Sequence, residues 1–471
     1  MTPTPVRRVV VVAMLVALLI AAVVIDRTEK PGSSTVRTRP GVDQPESTPV
    51  SSLSSSWYCP GGNADGGALN GAVTVMNPRD EGVHGTITAI PSQGDKVSQT
   101  FDLGPRSARR FVLAELVKAP WAAALVDFDG GGAVVEQMVG NPTEYDVSAC
   151  SPTASSTWYF PWGSTAKDAS LTLALFNPFP DDAIVDLAFA TGEGRRVPGD
   201  FEGIVVPAES VVPVDIGAHV RRQDVVSTEV KVRAGRVVAG QDMARTVPGA
   251  SGVSSSLGAP QLGDTWYFPD GLAADGVVER YEVFNPTGRE ARVDIEVALE
   301  QGEAEPFELT IPAQGRFTLA ANTESRIPKN VPHAAVARSV NGVPVVVARV
   351  FESTTPRVGR TDMLGARHPA RTWALAVGGA SETMDEWVVV YNPGERPATV
   401  SVGALADGQT VAIEGLQGVV VPAGRRVALR LADHIKRNPM SVVVQSSRDV
   451  VVERALFGAP ALASTIGVPL G

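Results

Sequence analysis

Apolar and polar residues alternate in short runs along most of this chain. In one segment Val293, Ile295, Val297 and Leu299 fall on one side of an extended backbone, and Arg292, Asp294 and Glu296 on the other. That period of two predicts strands with one buried and one wet face. The runs are Val-rich and bounded by Gly- and Pro-containing turns, and they number about seven or eight per ~100 residues. No sustained 3.6-residue pattern accompanies them, so the predicted helices are single turns near 215–221 and 431–436. Residues 9–25 are the exception, an uninterrupted apolar run (VVVVAMLVALLIAAVVI) preceded by Arg7 and Arg8. Its length is at the lower edge of what spans a bilayer, and the flanking arginines place residues 1–8 on the cytoplasmic side. The run ends on Val23, Val24, Ile25 and Asp26, which lacks a small-x-small site. An uncleaved signal anchor is therefore favoured over a cleaved signal peptide, and both export the remainder of the chain.

Residues 26–56 are rich in Pro, Ser and Thr and nearly free of apolar side chains. Such a stretch is expected to be a flexible linker, averaging roughly 30 Å end to end, that holds a folded body away from a membrane.

The pattern then repeats four times. Trp57-Tyr-Cys-Pro, Trp158-Tyr-Phe-Pro, Trp266-Tyr-Phe-Pro and the degenerate Trp373-Ala-Leu-Ala open successive segments, 101, 108 and 107 residues apart. An apolar run ending in Asn-Pro follows at Asn77, Asn177, Asn285 and Asn392, with spacings of 100, 108 and 107. Two markers moving in register define repeats at 57–152, 153–260, 261–368 and 369–471. Three repeats then share a Pro-Ala turn (Pro207-Ala208, Pro312-Ala313, Pro422-Ala423). Each is expected to close with a hairpin, through Asn341-Gly342 in repeat 3 and through residues 446–449 in repeat 4. The economical fold is all-β: four tandem immunoglobulin-like antiparallel β-sandwich repeats, each with its own core. A propeller with two blades per repeat is the alternative, but no half-repeat near 50 residues is visible.

The opening motif, the Asn-Pro run, the Pro-Ala turn and the terminal strand together resemble the WYF…NP β-sandwich repeats of secreted and surface proteins of actinobacteria and their relatives. The layout of anchor, linker and four repeats resembles an uncharacterised actinobacterial family of membrane-anchored secreted proteins. The resemblance covers residues 57–471 and implies a surface location with no assigned activity. Trp373-Ala-Leu-Ala departs from it.

Composition narrows the function. The net charge of −10 disfavours nucleic acid, because phosphate binding needs a basic field. Cys59 and Cys150 flank repeat 1, and in an exported chain they are expected to pair rather than remain free thiols. Trp57, Trp158, Trp266 and Trp373 read as packing marks more than as sugar platforms, and the four asparagines as turn residues. No catalytic, cofactor or metal set emerges. Five histidines (His84, His219, His333, His368, His434) are scattered. Ser164-Thr-Ala-Lys167 matches S-x-x-K but lacks the K-T-G strand its chemistry needs. Asp127-Phe-Asp129 before three glycines supplies too few oxygens for Ca²⁺ and reads as a turn. Glu136 and Glu453 have no repeated acidic partner for a glycosidase pair. The expectation is a non-enzyme of the plasma membrane with its bulk outside: a scaffold or interaction protein working with an envelope-assembly partner, alternatively a binder of cell-wall glycan, with an envelope enzyme whose site lies between repeats as the second alternative.

Overall fold

The computed structural model describes residues 43–471, except 142, 247–250, 301, 303, 356, 357, 407, 459 and 460. The expected tail, anchor and first part of the linker (1–8, 9–25 and 26–42) lie outside these residues. Among the described residues no helix is long and apolar enough to cross a membrane.

Repeat 1 contains eight strands: β1 (Ser55–Gly62), β2 (Gly71–Asn77), β3 (Val83–Pro91), β4 (Val97–Leu103), β5 (Ser107–Val112), β6 (Ala122–Phe128), β7 (Val134–Gly140) and β8 (Tyr145–Ala149). They form two antiparallel sheets, ordered β1-β6-β3-β4 and β5-β2-β7-β8. Trp57, Ile87, Phe101 and Val126 of the first sheet meet Val73, Val75, Phe111 and Val135 of the second in one core. Repeat 3 reproduces both sheets strand for strand, and repeat 2 does so with its outermost strand of the first sheet split into Gly194–Arg196 and Ile204–Val206. The all-β expectation of two packed antiparallel sheets per repeat therefore holds. Its strand order, however, is not the ABED over CFG order of immunoglobulin domains.

The predicted faces are also present. Along Ala291–Leu299 the residues named above alternate between buried and solvent-facing. The expected helical turns appear as short 3-10 turns at Ile216–Ala218 and Leu431–Asp433.

The expected closing hairpins are not hairpins. His333–Ser339 and Val346–Ser353 lie in opposite sheets of repeat 3. Asn341 binds the start of Ala291–Leu299 instead, taking the Arg292 N–H and donating to Glu290 O. Val343 and Val345, both buried, then carry the chain across the core. In repeat 4 one strand, Ser441–Phe457, pairs with the first sheet through its first half and with the second through its last. Two Val-rich runs around a short turn fit a sheet-to-sheet crossing as well as they fit a hairpin, because both bury the same side chains.

A second correction concerns the linker. Residues 43–48 are held against the body, and 49–54 are largely exposed. Asp43, Gln44 and Ser47 are buried. Gln44 accepts the Arg367 N–H at 2.8 Å, Ser47 N–H donates to Pro469 O at 3.0 Å, and Gly132 N–H donates to Thr48 O at 2.9 Å. A polar segment held by hydrogen bonds rather than by apolar burial leaves no hydrophobic pattern to read.

The four repeats close on themselves. β8 and its counterparts Gly252–Leu257, Gly359–Leu364 and Leu462–Ile466 pack against one another in a cycle, the fourth returning to β8. The approach is tight: a Cβ on Gly359 would lie 2.6 Å from Leu462 N. At the centre Asp146 accepts hydrogen bonds from Thr361 Oγ1 and Ser255 N, each at 3.1 Å, and Thr361 Oγ1 also receives the Ser464 N–H. Residues 43–45 help line one axial cavity of about 80 Å³.

Candidate functional site

The marker residues are structural. Trp57, Trp158, Trp266 and Trp373 are buried in the cores. The last three donate their indole N–H to Val237, Val345 and Val450 carbonyls. Each asparagine staples the turn that follows it. Asn77 donates to Glu81 O and Gly104 O, Asn177 to Asp181 O and Pro207 O, Asn285 to Arg289 O and Pro312 O, and Asn392 to Arg396 O and Val421 O. Cys59 and Cys150 are joined by a disulfide that ties β1 to the exit of β8. Ser164 lies in a loop with its hydroxyl on Gln223 O. Asp127 ends β6 and accepts from Ser56 Oγ. His84 and His219 sit on the surface beside Asp102 and Asp200. Among the described residues no group of three or more His, Cys, Asp or Glu is placed to hold a metal ion.

The chemistry gathers where repeats meet. Paired across from the residue four before each marker asparagine, Gln137, Gln241, Arg349 and Arg454 occupy one position on successive repeats. Each binds the backbone just past the opening motif. Gln137 accepts Gly61 N–H, and the other three donate to Trp162, Asp270 and Val377 carbonyls. The preceding position holds Glu136, Gly240, Ala348 and Glu453. Two junctions therefore pair an arginine with the next repeat's glutamate. Arg349 binds Glu453 at 2.5 Å, and Arg454 binds Glu136 at 2.9 Å, joining the last repeat to the first. Each glutamate also takes the N–H of the residue past its neighbour's opening motif, Asp270 or Val377. The two glutamates that lacked an acidic partner in the sequence are thus inter-repeat bridges.

The junctions differ in what fills them. Between repeats 1 and 2, Ile90, Trp121 and Val139 join the repeat 2 core, and Tyr58 meets Phe176 and Phe179 at 6.4 and 6.5 Å. Between repeats 2 and 3, Glu352 gathers Arg245, Arg280 and Arg360, with the Arg360 guanidinium 5.4 Å from the Trp162 ring. Between repeats 3 and 4 a cleft of about 720 Å³ remains. Trp387, Phe351, Phe457 and Leu272 line it, each half-buried. Trp387 stands where repeats 1 to 3 have Ala72, Thr172 and Arg280. Polar groups converge on its floor. Arg349 also donates to Ser464 Oγ at 3.0 Å, and Arg426 pairs with Asp270 at 2.6 Å and with Glu300 at 3.3 Å. Arg349 Nε is buried without a partner. Burial pushes Glu453 up to about 7 against the pull of Arg349.

Beneath the loop bordering this cleft, Glu279 accepts the Leu272 N–H at 3.0 Å and the Tyr281 hydroxyl at 2.8 Å, and lies 3.1 Å from His333. Burial opposes its charge, but His333, Arg349 and the Tyr281 hydroxyl together outweigh that and hold the carboxyl low. Glu386 is the counterpart in repeat 4, taking Gly379 N–H, with Met440 in place of His333. Burial pushes Glu386 up to about 8.

Sequence reading missed Trp387, Arg349 and Arg426. The available signal was local: the terminal-strand runs VVEQ, VAGQ, VVAR and VVER align on one another and show Arg at 349 and 454 where the first two repeats have Gln.

These features define a four-repeat β-sandwich protein whose repeats close into a ring and leave a ligand-sized cleft at one junction. A family model matches residues 140–377, half of the chain, and the chain belongs to that group, the Family of unknown function (DUF5719). No curated protein sequence matches it. Among solved structures, Thermotoga maritima 1070 is 22% identical over 22% of this chain and 95% of its own, with a TM-score of 0.21. The Anabaena sensory rhodopsin transducer is 25% identical over 19% of this chain and 83% of its own, with a TM-score of 0.17. A tetra-tandem repeat from the extending region of a large adhesion protein is 11% identical over 87% of this chain and 97% of its own, with a TM-score of 0.10. Likenesses at these scores carry no argument about fold or function.

Proposed function

We propose that this chain is a non-catalytic binding platform of the cell envelope. Residues 9–25 anchor it in the plasma membrane, the polar stretch after them carries it outward, and the cleft between repeats 3 and 4 holds a neutral, hydroxyl-rich ligand such as a wall polysaccharide. The observation that carries this reading is the cleft itself. Its volume falls in the range of ligand sites, its walls are aromatic and apolar, and a few polar groups converge on its floor. Arg349 and Arg426 are already neutralised by Glu453, Asp270 and Glu300, which favours an uncharged ligand over an ionic one. Aromatic faces suit the apolar face of a sugar ring, and the paired charges can share hydrogen bonds with its hydroxyls.

A second reading keeps the same location but makes the ring a scaffold for an envelope-assembly protein. The observation favouring it is the ring closure through Arg454 and Glu136, which fixes the four repeats in one arrangement.

The test is cosedimentation of the purified protein with isolated cell walls, followed by calorimetric titration with neutral wall-polysaccharide fragments. Binding that weakens by about tenfold in Trp387→Ala supports the cleft. Absence of wall binding, together with recovery of a stable protein complex from solubilised membranes, supports the scaffold instead. Turnover of a wall substrate contradicts both.

A further inference from the structure

The junction between repeats 4 and 1 carries the counterpart of the repeat 3–4 cleft, and its chemistry is different. A groove of about 380 Å³ lies there, lined by Arg106, Arg109, Arg110 and Arg437, with no carboxylate among its lining residues. This is an unusual concentration of positive charge in a chain with net charge −10.

Two of the arginines are left with weak partners. Arg109 and Arg110 are exposed on β5, and neither has a carboxylate within 4 Å among the described residues. The Arg109 guanidinium lies 4.7 Å from the Phe111 ring. Arg110 donates to the thioether of Met138 at 3.6 Å, a poor acceptor. Arg106 is better satisfied, bound to Asp80 at 2.5 Å and to Thr410 Oγ1 of repeat 4, also at 2.5 Å. The acids beneath the seam are accounted for separately. Glu136 is bridged to Arg454, and Glu386 accepts from Gly379 N. Guanidinium forks present paired N–H donors that match phosphate oxygens, so an arginine without a carboxylate partner is a ready anion donor.

Shape narrows the occupant. The groove is recessed between two sandwich repeats, with walls from both. A flat bilayer or a rigid nucleic-acid duplex matches such a recess poorly. A thin, flexible chain can lie in it. We propose that the groove between repeats 4 and 1 binds a flexible phosphate-bearing polymer through Arg110, with Arg106, Arg109 and Arg437 adding to the field. This site is separate from the neutral cleft between repeats 3 and 4, and the two have independent tests.

The test uses the full chain and inorganic polyphosphate, with binding followed by calorimetry. Binding is expected to weaken by about tenfold or more as salt rises from about 50 to about 200 mM, since each neutralised phosphate releases counterions. The Arg109→Ala/Arg110→Ala double variant is expected to weaken it by about tenfold or more, and the double Lys variant by less, because lysine keeps the charge but loses the fork. Both positions are exposed, so the variants fold, which a denaturation midpoint equal to that of the parent confirms. Trp387→Ala is expected to leave polyphosphate binding unchanged. Unaltered binding in the double Ala variant would falsify the site. Equal, arginine-dependent binding of phosphatidylglycerol vesicles or of duplex DNA would overturn the assignment to a flexible polymer.

Discussion

Between repeats 1 and 2 the outer face of a second sheet is covered by Ile90, Trp121 and Val139 and reinforced by Tyr58 against two phenylalanines. Between repeats 3 and 4 the same face of the same kind of sheet borders a cleft of about 720 Å³. The backbone plan is shared, so the difference lies in side chains. The first junction is held by apolar burial, which scales with area and leaves no room for a ligand. The second is held by ion pairs, Arg349 with Glu453 and Arg426 with Asp270 and Glu300, and by a small apolar contact of Val336 with Tyr391, while the walls of the cleft stand apart. The junction between repeats 4 and 1 combines a pair of the same kind, Arg454 and Glu136, with apolar packing of Ala374, Leu405, Val443 and Val468 on the repeat 1 core, and it also leaves a groove. Both open junctions therefore involve repeat 4, the repeat whose opening motif is degenerate. An ion pair needs exact partners but little area, and this allows a closed ring to keep two of its seams available.

The comparison can be broken most forcefully at the pairs. Arg454→Ala leaves Glu136 buried without its cation and should cost about 3–5 kcal/mol in chemical denaturation. Arg454→Met with Glu136→Leu should recover most of that loss, because removing both charges also removes the desolvation cost. A double variant as unstable as the single one would mean that the seam depends on more than the pair.

Two tryptophans test the filled and open junctions side by side. Trp162 is buried beneath Arg360 in the closed junction between repeats 2 and 3, and Trp162→Ala should cost about 3–5 kcal/mol. Trp387 is half-buried on the wall of the open cleft, and Trp387→Ala should cost about 1 kcal/mol or less. Equal losses at the two positions would mean that the cleft is a packed interface.

An intermediate effect concerns pH. Burial pushes Asp242 up to about 8, against an ordinary value of 3.8. Its carboxyl is protonated in the folded chain over a range where the unfolded chain has already released the proton. The stability it contributes is full below about pH 4 and is lost as the pH rises to about 8. Asp242→Asn should therefore match the parent near pH 4 and exceed it near pH 8 by on the order of 2 kcal/mol. Thermal denaturation at the two pH values reads this directly, and a difference of the opposite sign would show Asp242 to be ionised and paired.

The sequence made local structure legible because local structure follows side-chain alternation. Val293 to Leu299 announced a strand, and the registered Trp and Asn-Pro markers announced four repeats. It did not distinguish a hairpin from a crossing at Asn341-Gly342, because both place the valines in the core and differ only in which sheet receives the second run. It did not place residues 43–47, whose hold on Arg367 and Pro469 is polar and long-range. The bridges were hidden for a related reason. Glu453 is paired with Arg349 of another repeat, so a search for partners at matching positions within a repeat passes over it.

Ring closure is the claim on which the junction argument rests, and small-angle scattering from residues 43–471, which lie within a single compact unit, tests it most directly. Four repeats closed through Arg454 and Glu136 should give a radius of gyration of about 22 Å, the value for a compact chain of this length. Four sandwiches strung end to end would give roughly 40 Å, and that result would contradict the account.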